Sequence, residues 1–174
     1  MLPSHPTTQL LEAILFAEKA HRGQARKGAE KQPYISHPLE VMYLLWQHGV
    51  RDVVVLCAAV LHDTIEDTAV TPTDIERQFG SEILALVLEL TDDKSLPKAE
   101  RKRLQVVHAP HKSAGAAAIK AADKLCNLRD LRRTPPEDWT AERRQEYTAW
   151  AAQVVANLPP IPPASKPPLR KSWQ

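Results

Sequence analysis

No run of apolar residues in this chain is long enough to cross a membrane. The longest uncharged one covers residues 53–61, well short of the roughly 20 residues that a spanning helix needs. The first residues, "MLPSHPTTQLLEAILFAEKAH", have neither the charged start nor the long apolar centre of a secretory signal. No useful stretch alternates apolar with polar residues, so no strand is expected, and no internal repeat is visible. Cysteine is scarce: there are 2, Cys57 and Cys126, both inside apolar helical patterns. They read as buried free thiols of a cytoplasmic protein rather than as a disulfide. An excess of one charge is missing too. The formal net charge is +2, with basic residues spread along the chain. That excludes a nucleic-acid platform but leaves room for local basic clusters as anion sites.

What is present is helix. The 174 residues, 43% hydrophobic and 25% charged, suit one globular domain with a real core. Leu10, Leu11, Ile14, Leu15 and Ala17 recur at helical spacing and predict a first helix over 7–21. "RGQARKGAEKQPYISHP" has no period and reads as a long loop, a kind of segment that is usually functional. A second helix follows His37-Pro38, carries Val41, Leu44 and Leu45 inward and ends at Gly49. Residues 51–62 have little polar surface and form the expected central helix. Thr71 or Thr73 caps a short helix that ends at Gly80, and Ser81 caps the next, with Ile83, Leu84, Val87 and Leu88 facing inward. "TDDKSLPK" is a polar connection, "KAERKRLQVVHA" a basic helix broken at Pro110, and "SAGAAAIKAADKLCNLRDL" an alanine-rich helix. "WTAERRQEYTAWAAQVVANL" is the last. The expected fold is an all-α, compact multi-helix bundle over residues 1–158, with a proline-rich extended tail over 159–174.

The chemistry concentrates at "VLHDTIEDT", residues 60–68, where acidic residues follow an apolar run. Carboxylates beside a core segment are costly unless something compensates them. If the helix runs on through residue 67, His62 and Glu66 share one face and Asp63 and Asp67 another. His37 ends the long loop, and Asp123 sits out of place in an apolar helix. Together His37, His62, Asp63 and Asp123 form a nitrogen and oxygen set that suits Mn²⁺, Fe²⁺ or Zn²⁺ and lacks the thiolates of a structural zinc site. Spacing alone leaves this open. His62-Asp63 also reads as an ordinary structural pair, Asp123 as the partner of Lys124 or Arg129, and His37 as a helix cap. His21 reads as a structural or supporting residue.

In order along the chain, "AHRGQARKG", "PYISHP", "VVVLCAAVLHDTIEDT", "FG", "LTDDK" and "IKAADKLCNLRDL" resemble the hydrolase domain of the RelA/SpoT alarmone enzymes, within the HD-domain phosphohydrolases. "LPKAERKRLQ" and "QEYTAWAAQVV" resemble its single-domain members, the small alarmone hydrolases of the metazoan SpoT-homologue type. The resemblance covers about residues 8–158. It implies one Mn²⁺ held by His37, His62, Asp63 and Asp123, with Glu66 and Asp67 handling the attacking water and the leaving-group proton. It also implies hydrolysis of the 3′-pyrophosphate of ppGpp or pppGpp to GDP or GTP. Arg26 and Lys27 match the pair that contacts the nucleotide. Lys94, Lys98 and Arg101 are candidates for phosphates, Asn127 for base or ribose, and Arg143 with Tyr147 for phosphate and ribose or base. A chain of this length has no room for the synthetase and regulatory domains of the long enzymes. The chain would then act on alarmone made elsewhere or on a different nucleotide; a phosphatase acting on NADPH or another nucleotide, as the resemblance to single-domain relatives also implies, and a non-catalytic nucleotide sensor are the rival expectations. Membrane and nucleic acid are not expected partners, and the oligomeric state is left open.

Overall fold

The computed structural model describes residues 5–28 and 30–161. The proline-rich tail expected from residue 159 onward therefore lies almost wholly outside the described residues. Nine α-helices follow one another among them: α1 Pro6–Ala20, α2 Ser36–Gln47, α3 Val53–Leu61, α4 Thr64–Asp67, α5 Pro72–Phe79, α6 Ser81–Leu90, α7 Lys98–His108, α8 Ala114–Arg133 and α9 Ala141–Ala156. A single 3₁₀ turn, Ala109–His111, joins α7 to α8 where Pro110 was expected to break the chain. No strand occurs among the described residues, only an isolated bridge between Ala25 and Pro33 that clasps the long loop.

Helix α3 is central, as its composition implies. Seven of its nine residues, Val55 to Leu61, are buried, and it packs against α1, α2, α6 and α8. Asp52 caps it by accepting from the Val54 amide at 2.9 Å. Small residues let α8 lie close to this core. An added Cβ at Gly115 would come within 3.2 Å of Leu86 and 3.3 Å of Val55. Thr71 caps α5 in a reciprocal capping box with Asp74, and Gly80 ends it with φ +90°.

Three local expectations are corrected. Helix α2 begins at Ser36, so His37 and Pro38 are inside its first turn. That geometry is open to proline because the first-turn amides have no intrahelical partner. Ser81 is the first helical residue rather than the cap; Gly80 takes the cap position without a side-chain bond. Leu88 is exposed rather than facing inward, and Leu11 and Leu15, whose spacing helped predict α1, are exposed as well. α1 buries the stripe that includes Ala13 and Ala17, and its leucines at 11 and 15 lie off that stripe.

Both thiols are buried and unpaired, and burial pushes each up to about 12. A thiol with that pKa is almost entirely protonated at pH 8. The folded protein should therefore leave a thiol-disulfide reagent unreacted at pH 8 and titrate both cysteines once denatured. Fast reaction of either in the native state would contradict this packing.

Candidate active site

Three helices and one loop converge on a single buried cluster. His37 comes from the first turn of α2, His62 from the end of α3 and Asp123 from the middle of α8, and all three are buried. One ligand-capable atom of each lies within 4.8 Å of the others. His37 Nε2 is 3.1 Å from Asp123 Oδ1, and His62 Nε2 is 3.9 Å from the same oxygen. Asp63 joins from the side, its Oδ2 3.1 Å from His62 Nε2 and 4.0 Å from His37 Nε2.

The condition that the helix runs on unbroken through residue 67 is not met. α3 stops at Leu61, and the one-turn α4 restarts at Thr64. His62 Nδ1 donates to the Ala59 carbonyl at 2.7 Å and Thr64 Oγ1 donates to the Leu61 carbonyl at 2.7 Å. Side chains thus take carbonyls at the helix end, a local alternative to further helix. Neighbours on a continuous helix point about 100° apart. The break lets His62 and Asp63 address the same point.

The donor set fits a divalent cation. Donation by His62 Nδ1 fixes the tautomer and leaves the Nε2 lone pair facing the cluster. That Nε2 is buried and makes no hydrogen bond although Asp63 Oδ2 is 3.1 Å away. A ring nitrogen and a carboxylate oxygen brought this close, off hydrogen-bond geometry, are arranged like ligands around a common cation. Without an ion, a proton on the His62 ring balances the carboxylates instead. Burial opposes the imidazolium, but Asp63 and then Asp123 outweigh it and push His62 up to about 9. Burial likewise works against the Asp123 anion, yet Lys124 and His37 hold its carboxyl well below the usual range. Its Oδ1 accepts from Asn127 Nδ2 at 2.6 Å, and its Oδ2 meets Lys124 Nζ at 3.2 Å.

Glu66 faces the same cavity, a polar cleft of about 150 Å³ also lined by Arg26, Asp63, Asp92, Lys120, Asp123 and Asn127. Burial raises the Glu66 pKa. Its Oε2 accepts from the Asp92 amide at 3.0 Å, and Arg101 lies 3.6 Å from Oε1. Asp67 lies beside this layer, not along the cavity wall. It pairs with Lys94, and Tyr34 Oη is 3.5 Å from it while donating a short hydrogen bond to Asp63. Gln24 donates to the Asp67 carbonyl at 2.8 Å and meets His21 Nδ1 at 2.8 Å, so His21 does support the site indirectly.

Arg26 stands at the mouth. It donates to Asn127 at 2.9 Å and to Asp130 at 2.7 Å, and it lines a second pocket of about 360 Å³ with Lys27, Lys31, Trp139 and Arg143. The loop is anchored there by Gly28, where a Cβ would fall 2.7 Å from the Thr134 carbonyl oxygen. Arg143 lies over Trp139, 4.5 Å from the ring centroid. Lys98 shares a basic neighbourhood with Lys27, Arg101, Lys102 and Arg143, and its pKa is lowered by burial and then by these cations. Tyr147 is wedged between Trp139 and Trp150, with ring centroids 5.4 and 5.3 Å away; it lines neither pocket.

Sequence reading missed Tyr34, Asp92, Gln105, Lys120, Lys124 and Trp139 as site residues. For the two lysines a signal existed. They interrupt the same alanine-rich helix in which Asp123 looked misplaced.

The chain matches the HD domain family over residues 13–157. It is 57% identical over 151 residues to the human guanosine-3′,5′-bis(diphosphate) 3′-pyrophosphohydrolase MESH1, covering 86% of this chain and 84% of that protein. The Drosophila melanogaster protein of the same name is 45% identical, with 90% and 88% covered. Among solved structures, one described as a metazoan ortholog of SpoT that hydrolyzes ppGpp superposes with a TM-score of 0.85 at 45% identity, covering 88% of this chain and 87% of that one.

Divalent manganese should raise the thermal midpoint of the wild-type protein in a concentration-dependent way, as any ligand of the native state does. His62→Gln should abolish that rise. A variant still stabilised like wild type would remove His62 from the ligand set.

Proposed function

Because the chain belongs to the HD-domain family, and within it to the MESH1-type 3′-pyrophosphohydrolases, we propose that it hydrolyses the 3′-pyrophosphate of guanosine bis(diphosphate) alarmones. The products are GDP, or GTP from pppGpp, and pyrophosphate. One observation carries the reading: a buried His37, His62 and Asp123 cluster meets, through His37 and Asp123, the same polar cavity as a carboxylate whose pKa is raised by burial. His37, His62, Asp63 and Asp123 would hold one divalent ion, with Mn²⁺ as the expected metal. Bound there, such an ion supplies positive charge to a phosphoryl oxygen and acidifies a water.

The remaining work falls to side chains. Glu66 is placed to take the proton of the attacking water, because its raised pKa makes it a stronger base than an ordinary carboxylate. The Asp92 amide and Arg101 hold it in one orientation. Asp67, fixed by Lys94 and Tyr34, is the partner that handles the leaving-group proton. The water oxygen bonds to the phosphorus next to the ribose, the bond from that phosphorus to the 3′ oxygen breaks, and the 3′ oxygen gains a proton. At the mouth, Arg26 and Asn127 receive the nucleoside. Lys27, Lys98 and Arg143 form the basic ground for its 5′-phosphates, and Trp139 offers a face for stacking. Lys94 serves Asp67 in this scheme rather than phosphate, and Tyr147 packs behind Trp139 instead of meeting the ribose.

The deciding experiment incubates purified protein and Mn²⁺ with ppGpp, NADPH and a nucleotide panel. Pyrophosphate release from ppGpp is expected. Orthophosphate from NADPH without reaction of ppGpp would transfer the activity to the rival substrate, and binding without products would make the protein a sensor. Glu66→Gln should lower turnover by roughly 10²- to 10⁴-fold while manganese binding, followed by electron paramagnetic resonance, stays intact. Normal turnover in that variant would sink the assignment of the base.

A further inference from the structure

Lys120 is a buried cation without adequate compensation. It lies on α8 one turn before Asp123 and is 5% exposed. Its Nζ has one hydrogen bond, to the Leu90 carbonyl at 3.4 Å, and no carboxylate within ion-pair distance among the described residues. Lys124, equally deep, is satisfied differently. It pairs with Asp123 at 3.2 Å and lies 4.5 Å from the centroid of the Trp150 ring. An ammonium has three protons to place, and leaving them unplaced in a low-dielectric interior is costly. Burial, and then Lys124, lower the Lys120 pKa, in keeping with a poorly matched charge.

The side chain lines the same cavity as Glu66, Asp92 and Gln105, which hydrogen bonds link to one another, and on α8 it lies one turn before Asp123 whereas Asn127 lies one turn after it. Gln105 donates to Asp92, and its Oε1 is a buried acceptor with no partner. The cavity therefore offers free donors on Lys120 and a free acceptor on Gln105, the complement of a monoprotonated phosphate. The charge balance sets a condition. The lining holds three cationic side chains, Arg26, Lys120 and Lys124, against four carboxylates, Asp63, Glu66, Asp92 and Asp123. A divalent cation reverses that sign, so an anion is welcome in the cavity only in the metal-loaded protein.

We propose that Lys120 is a further substrate-contacting residue, holding the terminal phosphate of the 3′-pyrophosphoryl group beside Gln105 in the cavity. This rests on the pyrophosphohydrolase reading above. It gives the site a measure of length: one phosphate lies at the metal cluster, and a second reaches Lys120. A substrate with a single phosphate at that position leaves the ammonium unmatched. Lys120 thereby favours a diphosphate over a monophosphate.

The test is equilibrium dialysis of labelled pyrophosphate and of orthophosphate against the protein at fixed free Mn²⁺. Lys120→Met should weaken pyrophosphate binding by about tenfold or more, the loss of one hydrogen bond between charged groups. It should change orthophosphate binding by less than about threefold, within the range of a lost screening charge, and leave manganese affinity as it was. Lys120→Arg, which keeps the charge, should retain most of the pyrophosphate affinity. Wild-type pyrophosphate affinity in Lys120→Met overturns the proposal. So does an equal loss for the two anions, which would place Lys120 at the metal cluster, or an Arg variant that falls as far as Met. Turnover of ppGpp by the wild type is measured separately. A failure of that reaction with the pyrophosphate effect intact removes the substrate assignment and keeps the phosphate contact.

Discussion

The buried carboxylate of Asp123 is the constraint on which the site depends. An anion at that depth in α8 needs donors on both oxygens. His37 and Asn127 approach one oxygen and Lys124 the other. Those partners come from α2 and from α8 itself, so satisfying Asp123 fixes the first turn of α2 against the middle of α8. Once His37 is held there, the end of α3 has to bring His62 alongside, and the rings stand 5.4 Å apart between centroids. The bundle positions a set of electron-rich atoms whose mutual repulsion only a cation or shared protons can relieve.

Much of this was legible in the residues. Asp123 stood out because a carboxylate in an alanine-rich helix has to be compensated, and Lys124 is indeed one of its partners. The apolar run of residues 53–61 marked the central helix because a helix hydrophobic on all sides has to be buried. What escaped was set by partners distant in sequence. Trp139 lines the second pocket only because α9 begins beside the loop of Lys27. The Asp92 amide reaches Glu66 across 26 positions. Lys94 was a candidate for phosphate or for a solvated face, and nothing local showed that it would pair with Asp67. Leu11 and Leu15 illustrate the reverse error. Helical spacing identifies a stripe but not which of two apolar stripes the neighbours cover.

The interruption between α3 and α4 shows how a small departure from regular structure creates a site. Continuous helix would keep His62 and Asp63 on diverging faces and stack Glu66 under His62. Breaking it at two residues turns Asp63 inward and starts a fresh turn, so that Glu66 enters the cavity while Asp67 turns toward Tyr34 and Lys94. The two carboxylates then sit in different surroundings, one buried against Asp92 and one paired with a lysine. Neighbouring acids in unlike environments are what a proton-in, proton-out reaction requires. "HDTIED" is therefore better understood as two short segments around a hinge point than as one amphipathic helix. The hydroxyl of Thr64 and the imidazole Nδ1 of His62, by satisfying the carbonyls of Leu61 and Ala59, are what make that hinge stable in a buried setting.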